Sequence, residues 1–178
     1  MNFASFRSAG LKYGKQGLRI WAFPTDQGYF EPDVAELIRY KAYQQFGYGQ
    51  YPVALLFDKI DVVGNTAHPL YRTICKKGPN PNGLDRLSVN FEKFLLDDKG
   101  EVLRRYPRKM TAFDFEEDLD QATQQRPLAP PTPEFFGYWK DAQRDAQRGE
   151  YSFRQNYNVY DQSEKSSDWE GLAELGFQ

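Results

Sequence analysis

Three polar side chains follow a short apolar run near the N-terminus. In the stretch "FPTDQGYF" (residues 23–30), Thr25, Asp26 and Gln27 come directly after "LRIWAF", which is apolar and rich in β-formers. An apolar run closed by a proline predicts a buried strand followed by a turn, and polar side chains on such a turn can line a reaction site. None of the three is a ready nucleophile, since a hydroxyl, a carboxylate or an amide needs an activating partner. The turn is either an active site or the outline of one.

The chain has a single cysteine, Cys75, and a single histidine, His68. An internal disulfide is therefore impossible, and neither a metal site nor a cofactor is predicted. Cys75 is interpreted as a half-buried structural thiol on the helix after "AHPLY", with a redox role as the alternative. His68 stands before a proline and is predicted to bond locally where a helix begins.

Composition excludes several classes of partner. The 178 residues are 40% hydrophobic and carry a net charge of −2, from 23 basic and 25 acidic side chains. This length and hydrophobic fraction suit one domain with an appendage, and the charge gives no footprint for nucleic acid. The densest basic stretch, residues 104–109, is interpreted as a solvated surface. No apolar run approaches the roughly 18 residues of a membrane span, so the chain is not predicted to be transmembrane.

The pattern of elements predicts an α/β domain. It comprises a helix over residues 3–13, a strand over 18–23, a helix over 31–46, a short strand over 52–57, a helix over 67–74, a hairpin of 87–96 with 101–106, and a helix from Thr111. This order favours a thioredoxin-like mixed sheet flanked by helices. Residues 1–121 are predicted to form this domain, and residues 122–178 a proline-rich linker, an amphipathic helix and an aromatic-rich tail.

Three segments carry a family resemblance. "YGKQGLRIWAFPTDQGYFEP", "FDKIDVVGNTAHPLY" and "VNFEKFLLDDKGEVLRRY" are similar, in order and spacing, to segments of the glutathione peroxidase family. The resemblance implies a thioredoxin fold, a link to the oxidative stress response, and reduction of hydroperoxides by a cysteine or selenocysteine assisted by Gln, Trp and Asn. Gln27 and Asn90 match the family's Gln and Asn, whereas Val89 replaces the Trp. Thr25 stands where the family's "FPCNQF" has its Cys.

The family's nucleophile belongs to a segment "NVAS-x-C-G" after the first strand. In the preferred alignment residues 3–13 form a helix and the chain starts after that segment. The alternative reads "NFASFRS" (residues 2–8) as its remnant, with Arg7 in the nucleophile's place; both alignments leave no nucleophile. The preferred alignment also implies that a central strand is missing. A rearranged N-terminus, upstream sequence or a neighbouring protein would have to fill the open slot.

The tail after residue 121 lies outside the resemblance. Thr132 is predicted to cap a helix that begins at Pro133, and a polar segment with many aromatic residues follows. Aromatic anchors in a polar segment favour docking on another protein, while folding back on the same domain and simple disorder are the alternatives. The residues predicted to contact a partner are Phe135, Phe136, Trp139, Tyr151, Phe153, Tyr157, Tyr160 and Trp169.

The sequence thus favours a catalytically inactive glutathione-peroxidase-like protein. It would be a structural or accessory subunit of a larger assembly, with other protein subunits as partners, in an intracellular compartment such as the mitochondrion or plastid. One alternative is an active thiol peroxidase whose nucleophile-bearing N-terminal segment is missing from this sequence. Another is a peroxide sensor that uses Cys75.

Overall fold

The computed structural model of the chain describes residues 2–27 and 33–147, which fold into five α-helices and four short strands. Their bounds are α1 Asn2–Tyr13, β1 Trp21–Ala22, α2 Ala35–Phe46, β2 Leu55–Leu56, α3 Pro69–Lys77, β3 Lys93–Leu96, β4 Val102–Tyr106, α4 Glu116–Thr123 and α5 Pro133–Gln147. Within these ranges no helix has the length and apolar character that crossing a membrane requires.

The described residues divide into two compact units. Unit 1 takes its residues from the ranges Met1–Pro24, Glu31–Lys59 and Lys109–Pro131, and unit 2 from Thr25–Phe30, Ile60–Arg108 and Thr132–Gln178. Unit 1 contains α1, α2, α4 and the parallel pair β1–β2. Unit 2 contains α3, α5 and the antiparallel hairpin β3–β4. The strands of the described chain therefore lie in two separate two-stranded sheets.

A βαβ arrangement forms the centre of unit 1. Trp21 pairs with Leu55 and Ala22 with Leu56 in parallel register. Because side chains alternate along a strand, only one set of them faces the helices. One core cluster of the unit consists of Tyr48, Val53 and Ala54, packed with Phe6, Ile20, Ala22, Ala42 and Phe46.

The backbone of helix α1 packs closely against the backbone at Val53. A Cβ atom on Gly10 would lie 2.3 Å from the carbonyl oxygen of Val53, so only glycine fits there. The buried hydroxyl of Ser5 accepts a hydrogen bond of 3.1 Å from the Ala112 N–H. The helix predicted over residues 3–13 is confirmed, and residues 2–8, which the alternative alignment compares with a post-strand segment, lie in this helix.

The hairpin of unit 2 follows the predicted turn chemistry. Gly100 has a φ of +80°, and the Asp97 carboxylate accepts hydrogen bonds from the N–H groups of Lys99 and Glu101. Beside the hairpin lies a core cluster of Val62, Val63, Cys75 and Leu87, packed with Ile60, Tyr71 and Phe94. The hairpin prediction is confirmed.

Two element predictions need correction. The strand expected to be buried over residues 18–23 is only the two residues of β1, and Trp21 on it is 54% exposed. The helix expected from Thr111 begins at Glu116 instead. The Thr111 hydroxyl and N–H both donate to Asp114 Oδ2, at 2.7 and 2.6 Å, and so close a turn ahead of the helix.

Candidate functional site

Gln27 is the most fully bonded of the predicted site residues. Its Oε1 accepts hydrogen bonds from the N–H groups of Val62 (2.6 Å) and Val63 (2.9 Å), and its Nε2 donates to the Val63 carbonyl at 3.0 Å. The side chain is buried, and its own N–H donates to the Thr25 hydroxyl at 3.1 Å. The oxygen and the nitrogen of the amide therefore both form hydrogen bonds to the backbone of residues 62–63, as the backbone of a neighbouring strand would.

Asn90 and Val89 lie on the turn that leads into β3. Val89 is buried and Asn90 half-buried. The turn is held by the Glu92 carboxylate, whose Oε1 accepts from the Ser88 N–H (2.9 Å) and hydroxyl (2.5 Å) and from the Val89 N–H (3.3 Å). Phe91 adopts a φ of +63°, which a bulky side chain rarely tolerates. The turn is tightly defined, but Val89 offers no donor where a Trp would offer an indole N–H.

Cys75 is buried in the core cluster of unit 2, at 2% exposure, and not on a reactive surface. Burial raises the pKa of its thiol from the ordinary value of 9.0 to about 11, and the nearby Arg105 guanidinium lowers it only in part. At pH 7 a pKa near 11 leaves roughly one thiolate in 10⁴ molecules. Its neighbours Val62 and Val63 are the residues whose backbone Gln27 binds, so the thiol lies nearer to that loop than its place on α3 suggested.

The strongest polar constellation was missed by the sequence reasoning. Arg105 Nε donates to Glu92 Oε2 at 2.7 Å, and its Nη2 lies 2.5 Å from the same oxygen, with both side chains almost fully buried. The guanidinium also donates to three carbonyl oxygens, those of Gly78 (3.4 Å), Leu84 (2.9 Å) and Arg86 (2.6 Å). It therefore holds the loop before β3 against the hairpin.

The reading of residues 104–109 as a solvated surface is wrong for its middle, because Arg105, Tyr106 and Pro107 are buried. One signal could have found the pair. Glu92 and Arg105 both fall in the segment "VNFEKFLLDDKGEVLRRY", where strand alternation separates Arg104 from its neighbour Arg105. A charge that alternation turns inward needs a partner of opposite charge.

The first turns of α5 pack on the chain's own hairpin. The Phe135 ring meets the Tyr106 ring edge-on at 6.3 Å, and the Arg105 guanidinium lies 5.8 Å from the centre of the Trp139 ring. Phe135 and Trp139 are buried against their own chain, as the alternative in which the tail folds back on the same domain expects. Phe136 is 43% exposed and stays available to a partner.

Two helix-start predictions are confirmed. His68 Nδ1 accepts from the Leu70 N–H at 3.2 Å, ahead of Pro69 at the first position of α3. Thr132 caps α5, since its hydroxyl accepts from the Phe135 N–H at 3.2 Å. The other residues predicted to contact a partner lie outside the described residues: Tyr151, Phe153, Tyr157, Tyr160 and Trp169.

Within the described ranges no group of three or more His, Cys, Asp or Glu side chains is placed to hold a metal ion. The site consequently has a buried glutamine, a half-buried asparagine and a buried thiol in unit 2. The described residues bring no activated nucleophile to it.

Comparison with known proteins supplies relatives of this chain. It is 36% identical over 122 residues to phospholipid hydroperoxide glutathione peroxidase 1, chloroplastic, of Arabidopsis thaliana, a match covering 67% of this chain and 49% of the relative. It is 38% identical over 119 residues to the "Probable phospholipid hydroperoxide glutathione peroxidase" of Citrus sinensis, covering 66% of this chain and 68% of the relative. The chain thus spans about half the length of the chloroplastic relative. No family model matches it.

Solved structures agree with the fold. The crystal structure of Trgpx in apo form matches with a TM-score of 0.52 at 25% identity, covering 70% of this chain and 72% of that one. The crystal structure of T. cruzi GPX1 matches with a TM-score of 0.51 at 26% identity, covering 69% and 71%. The thioredoxin-like α/β fold is confirmed. With its relatives and its fold in agreement, this chain belongs to the glutathione peroxidase family.

Proposed function

We propose that this chain is a catalytically inactive member of the glutathione peroxidase family and serves as an accessory subunit of a larger protein assembly. The observation that carries the proposal is the state of Cys75. It is the only cysteine of the chain, it is buried, and its thiol has a raised pKa. Peroxide reduction by cysteine needs an accessible thiolate, because the thiolate is the species that attacks the O–O bond.

The hydrogen bonds of Gln27 support the same proposal. Its Oε1 accepts from two backbone N–H groups and one N–H of its Nε2 donates to the Val63 carbonyl, so the backbone of residues 62–63 fixes the orientation of the amide. Val89 removes a further donor, because its side chain is apolar. Gln27 and Asn90 are accordingly proposed to act as structural residues of their loops.

Docking is proposed to proceed through the tail that follows α5. Phe136 remains exposed at the start of α5, and the polar segment that follows α5 carries Tyr151, Phe153, Tyr157, Tyr160 and Trp169. Aromatic side chains concentrate binding energy in protein interfaces, because they bury a large area at little entropic cost. A plastid location is proposed because the Arabidopsis relative's name places it in the chloroplast.

Purification of the protein from its native source tests both halves of the proposal. We expect it to migrate with a much larger assembly, and to lose that association when these five tail aromatics are changed to serine. We also expect no hydroperoxide reduction above the rate of buffer. A well-folded lone monomer at low concentration would contradict the docking role. Peroxidase activity that depends on a cysteine upstream of this sequence would contradict the loss of catalysis.

The alternative that Cys75 senses peroxide is tested with the variant Cys75→Ser. If Cys75 sensed peroxide, Cys75→Ser would abolish a peroxide-dependent change in binding to the assembly. We expect the wild type and Cys75→Ser to bind equally with and without peroxide, since the thiol is buried and protonated.

A further inference from the structure

Strand β1 in unit 1 pairs with β2 along only one of its two edges. The Leu55 N–H donates to the Ile20 carbonyl at 2.8 Å, and the Phe57 N–H donates to the Ala22 carbonyl at 3.0 Å. Because backbone groups point to alternate sides along a strand, the N–H and C=O of Trp21 point to the other edge. In the part of the chain that the structure describes, neither of these two groups has a hydrogen-bond partner. This edge of β1 is therefore open.

The opposite edge of the sheet, at β2, is partly covered by the chain itself. Gln50 forms an antiparallel bridge with Ala54, and the Gly49 N–H donates to the Ala54 carbonyl at 2.7 Å. A sheet of two strands is marginal by itself, and an open edge is a template for a strand of another chain. The edge of β1 at Trp21 is consequently the place in unit 1 where a strand can be added.

The two faces of the sheet determine what kind of strand fits at this edge. On one face Ile20 and Ala22 pack against the core cluster of unit 1. On the other face Trp21 is 54% exposed, and the Phe57 ring meets it edge-on at 5.8 Å. An added strand must therefore present apolar side chains on both faces, as strands of a parallel sheet usually do. The stretch "LRIWAF" that contains β1 meets this requirement itself, since Arg19 is its only charged residue.

We infer that β1 pairs in antiparallel register with β1 of a second copy of this chain, about a twofold axis beside Trp21. Each Trp21 N–H then donates to the Trp21 carbonyl of the other copy, which is the doubly bonded pair of an antiparallel ladder. The two sheets become one sheet of four strands, and the open edge of each copy is closed. This contact is isologous, because the same surface serves on both copies. The inference goes beyond the proposed function and does not rest on it.

The charges of β1 favour this register. With Trp21 opposite Trp21, residue 19 of one copy lies opposite residue 23 of the other. Arg19 therefore faces an aromatic ring, that of Phe23, and not a second arginine. Like charges directly opposite one another destabilise a sheet, whereas a guanidinium beside an aromatic ring is favourable. The two Trp21 rings lie side by side on the same face and form an aromatic cross-strand pair.

The size of the contact indicates a weak dimer. An aromatic side chain buries about 150–250 Å² when it is covered, so half-exposed Trp21 has on the order of 100 Å² left to bury in each copy. Interfaces below about 1,200 Å² are typical of weak and transient complexes. A measurement of this dimer therefore has to trap it or vary the protein concentration.

Disulfide trapping of the full 178-residue chain tests the register. In the inferred pair the two Cα atoms of residue 21 lie about 5.5 Å apart, within the range of about 4.4–6.8 Å that a disulfide spans. Arg19→Cys is the matched control, because it places an exposed thiol on the same strand but more than about 13 Å from its copy. Cys75 stays in place, since it is buried and protonated. We expect Trp21→Cys to form disulfide-linked dimers at least about ten times faster than Arg19→Cys, and equal rates would overturn the inference.

Hydrogen exchange of the wild type gives a readout without any substitution. Raising the protein concentration about a hundredfold should slow exchange of the Trp21 amide at least about threefold, because mass action populates the dimer. The Asp97 amide donates to the Glu101 carbonyl within the hairpin, so its exchange should not change. A Trp21 amide whose exchange does not depend on concentration would overturn the inference. Association with a larger assembly is measured on protein from its native source, so failure of one proposal leaves the other standing.

Discussion

The buried pair of Arg105 and Glu92 allows a quantitative test of what holds unit 2 together. We consider Arg105→Met, which keeps a side chain of similar length but removes the charge and all five donors. The change leaves the Glu92 carboxylate without its cation, in a position where that side chain is fully buried. It also removes the donors for the carbonyl oxygens of Gly78, Leu84 and Arg86.

The expected cost follows from the burial of the pair. Breaking a buried ion pair by removing one partner costs about 3–5 kcal/mol, because an uncompensated charge stays in the interior. A domain of this kind has a free energy of unfolding of about 5–15 kcal/mol, so the loss is a large share. With a urea dependence of about 2 kcal/mol per molar, the midpoint should fall by about 2 M.

Equilibrium urea unfolding at pH 7, followed by circular dichroism, measures this loss. Lys77→Met is the matched control, because Lys77 Nζ lies 2.6 Å from Glu101 Oε1 and both side chains are largely exposed. An exposed pair contributes less than about 1 kcal/mol, so this variant should unfold close to the wild type. Arg105→Lys should fall between the two, since it keeps a charge but has only three donors on one nitrogen.

The reasoning fails if Arg105→Met loses less than about 1 kcal/mol or matches Lys77→Met. Either result would mean that relaxation or water satisfies Glu92 and the three carbonyls at little cost. The buried pair would then contribute geometry to the loop but little stability.

Two further changes test the candidate site. Between pH 9 and 11 the thiol of Cys75 ionises in the unfolded wild type but stays protonated in the folded protein, where its pKa is raised to about 11. The wild-type free energy of unfolding therefore falls by up to about 1.4 kcal/mol per pH unit in this range. The free energy of unfolding of Cys75→Ala should fall less, because this variant has no thiol to ionise. If urea titrations at each pH showed the free energies of unfolding of the two proteins falling equally with pH, this prediction would be contradicted. Gln27→Ala should cost at least about 2 kcal/mol, because the N–H groups of Val62 and Val63 lose their acceptor inside the protein. Unchanged protection of those two amides from hydrogen exchange would count against it.

The elements that sequence predicted best depend on local chemistry. The hairpin follows from "DDKG", where Gly100 takes the positive φ and Asp97 closes the turn. The start of α5 follows from Thr132 before a proline, and that of α3 from His68 in the same setting. In each case the residue that decides the structure lies within a few positions of the group it binds.

The sequence predictions that were wrong concern elements whose structure depends on residues far away in the chain. Strand β1 is two residues long and Trp21 on it is half exposed, since strand pairing and burial depend on other parts of the chain, which no pattern within residues 18–23 can indicate. The motif of Thr111 and Asp114 has cap-like spacing but closes a turn. The burial of Arg105 requires Glu92, thirteen positions away, and carbonyls from the stretch 78–86, up to twenty-seven positions away.

The position of Gln27 in the family's motif does not by itself argue for catalysis. Its three side-chain hydrogen bonds to residues 62–63 are a sufficient physical reason for a glutamine there, because its amide supplies both an acceptor for two N–H groups and a donor for a carbonyl. The substitution Gln27→Glu would remove the donor and bury a charge. A motif residue with a complete structural role carries no information about activity, so the decision rests on whether a thiolate or selenolate reaches the loop. Within this chain the only sulfhydryl is Cys75, and burial keeps it protonated.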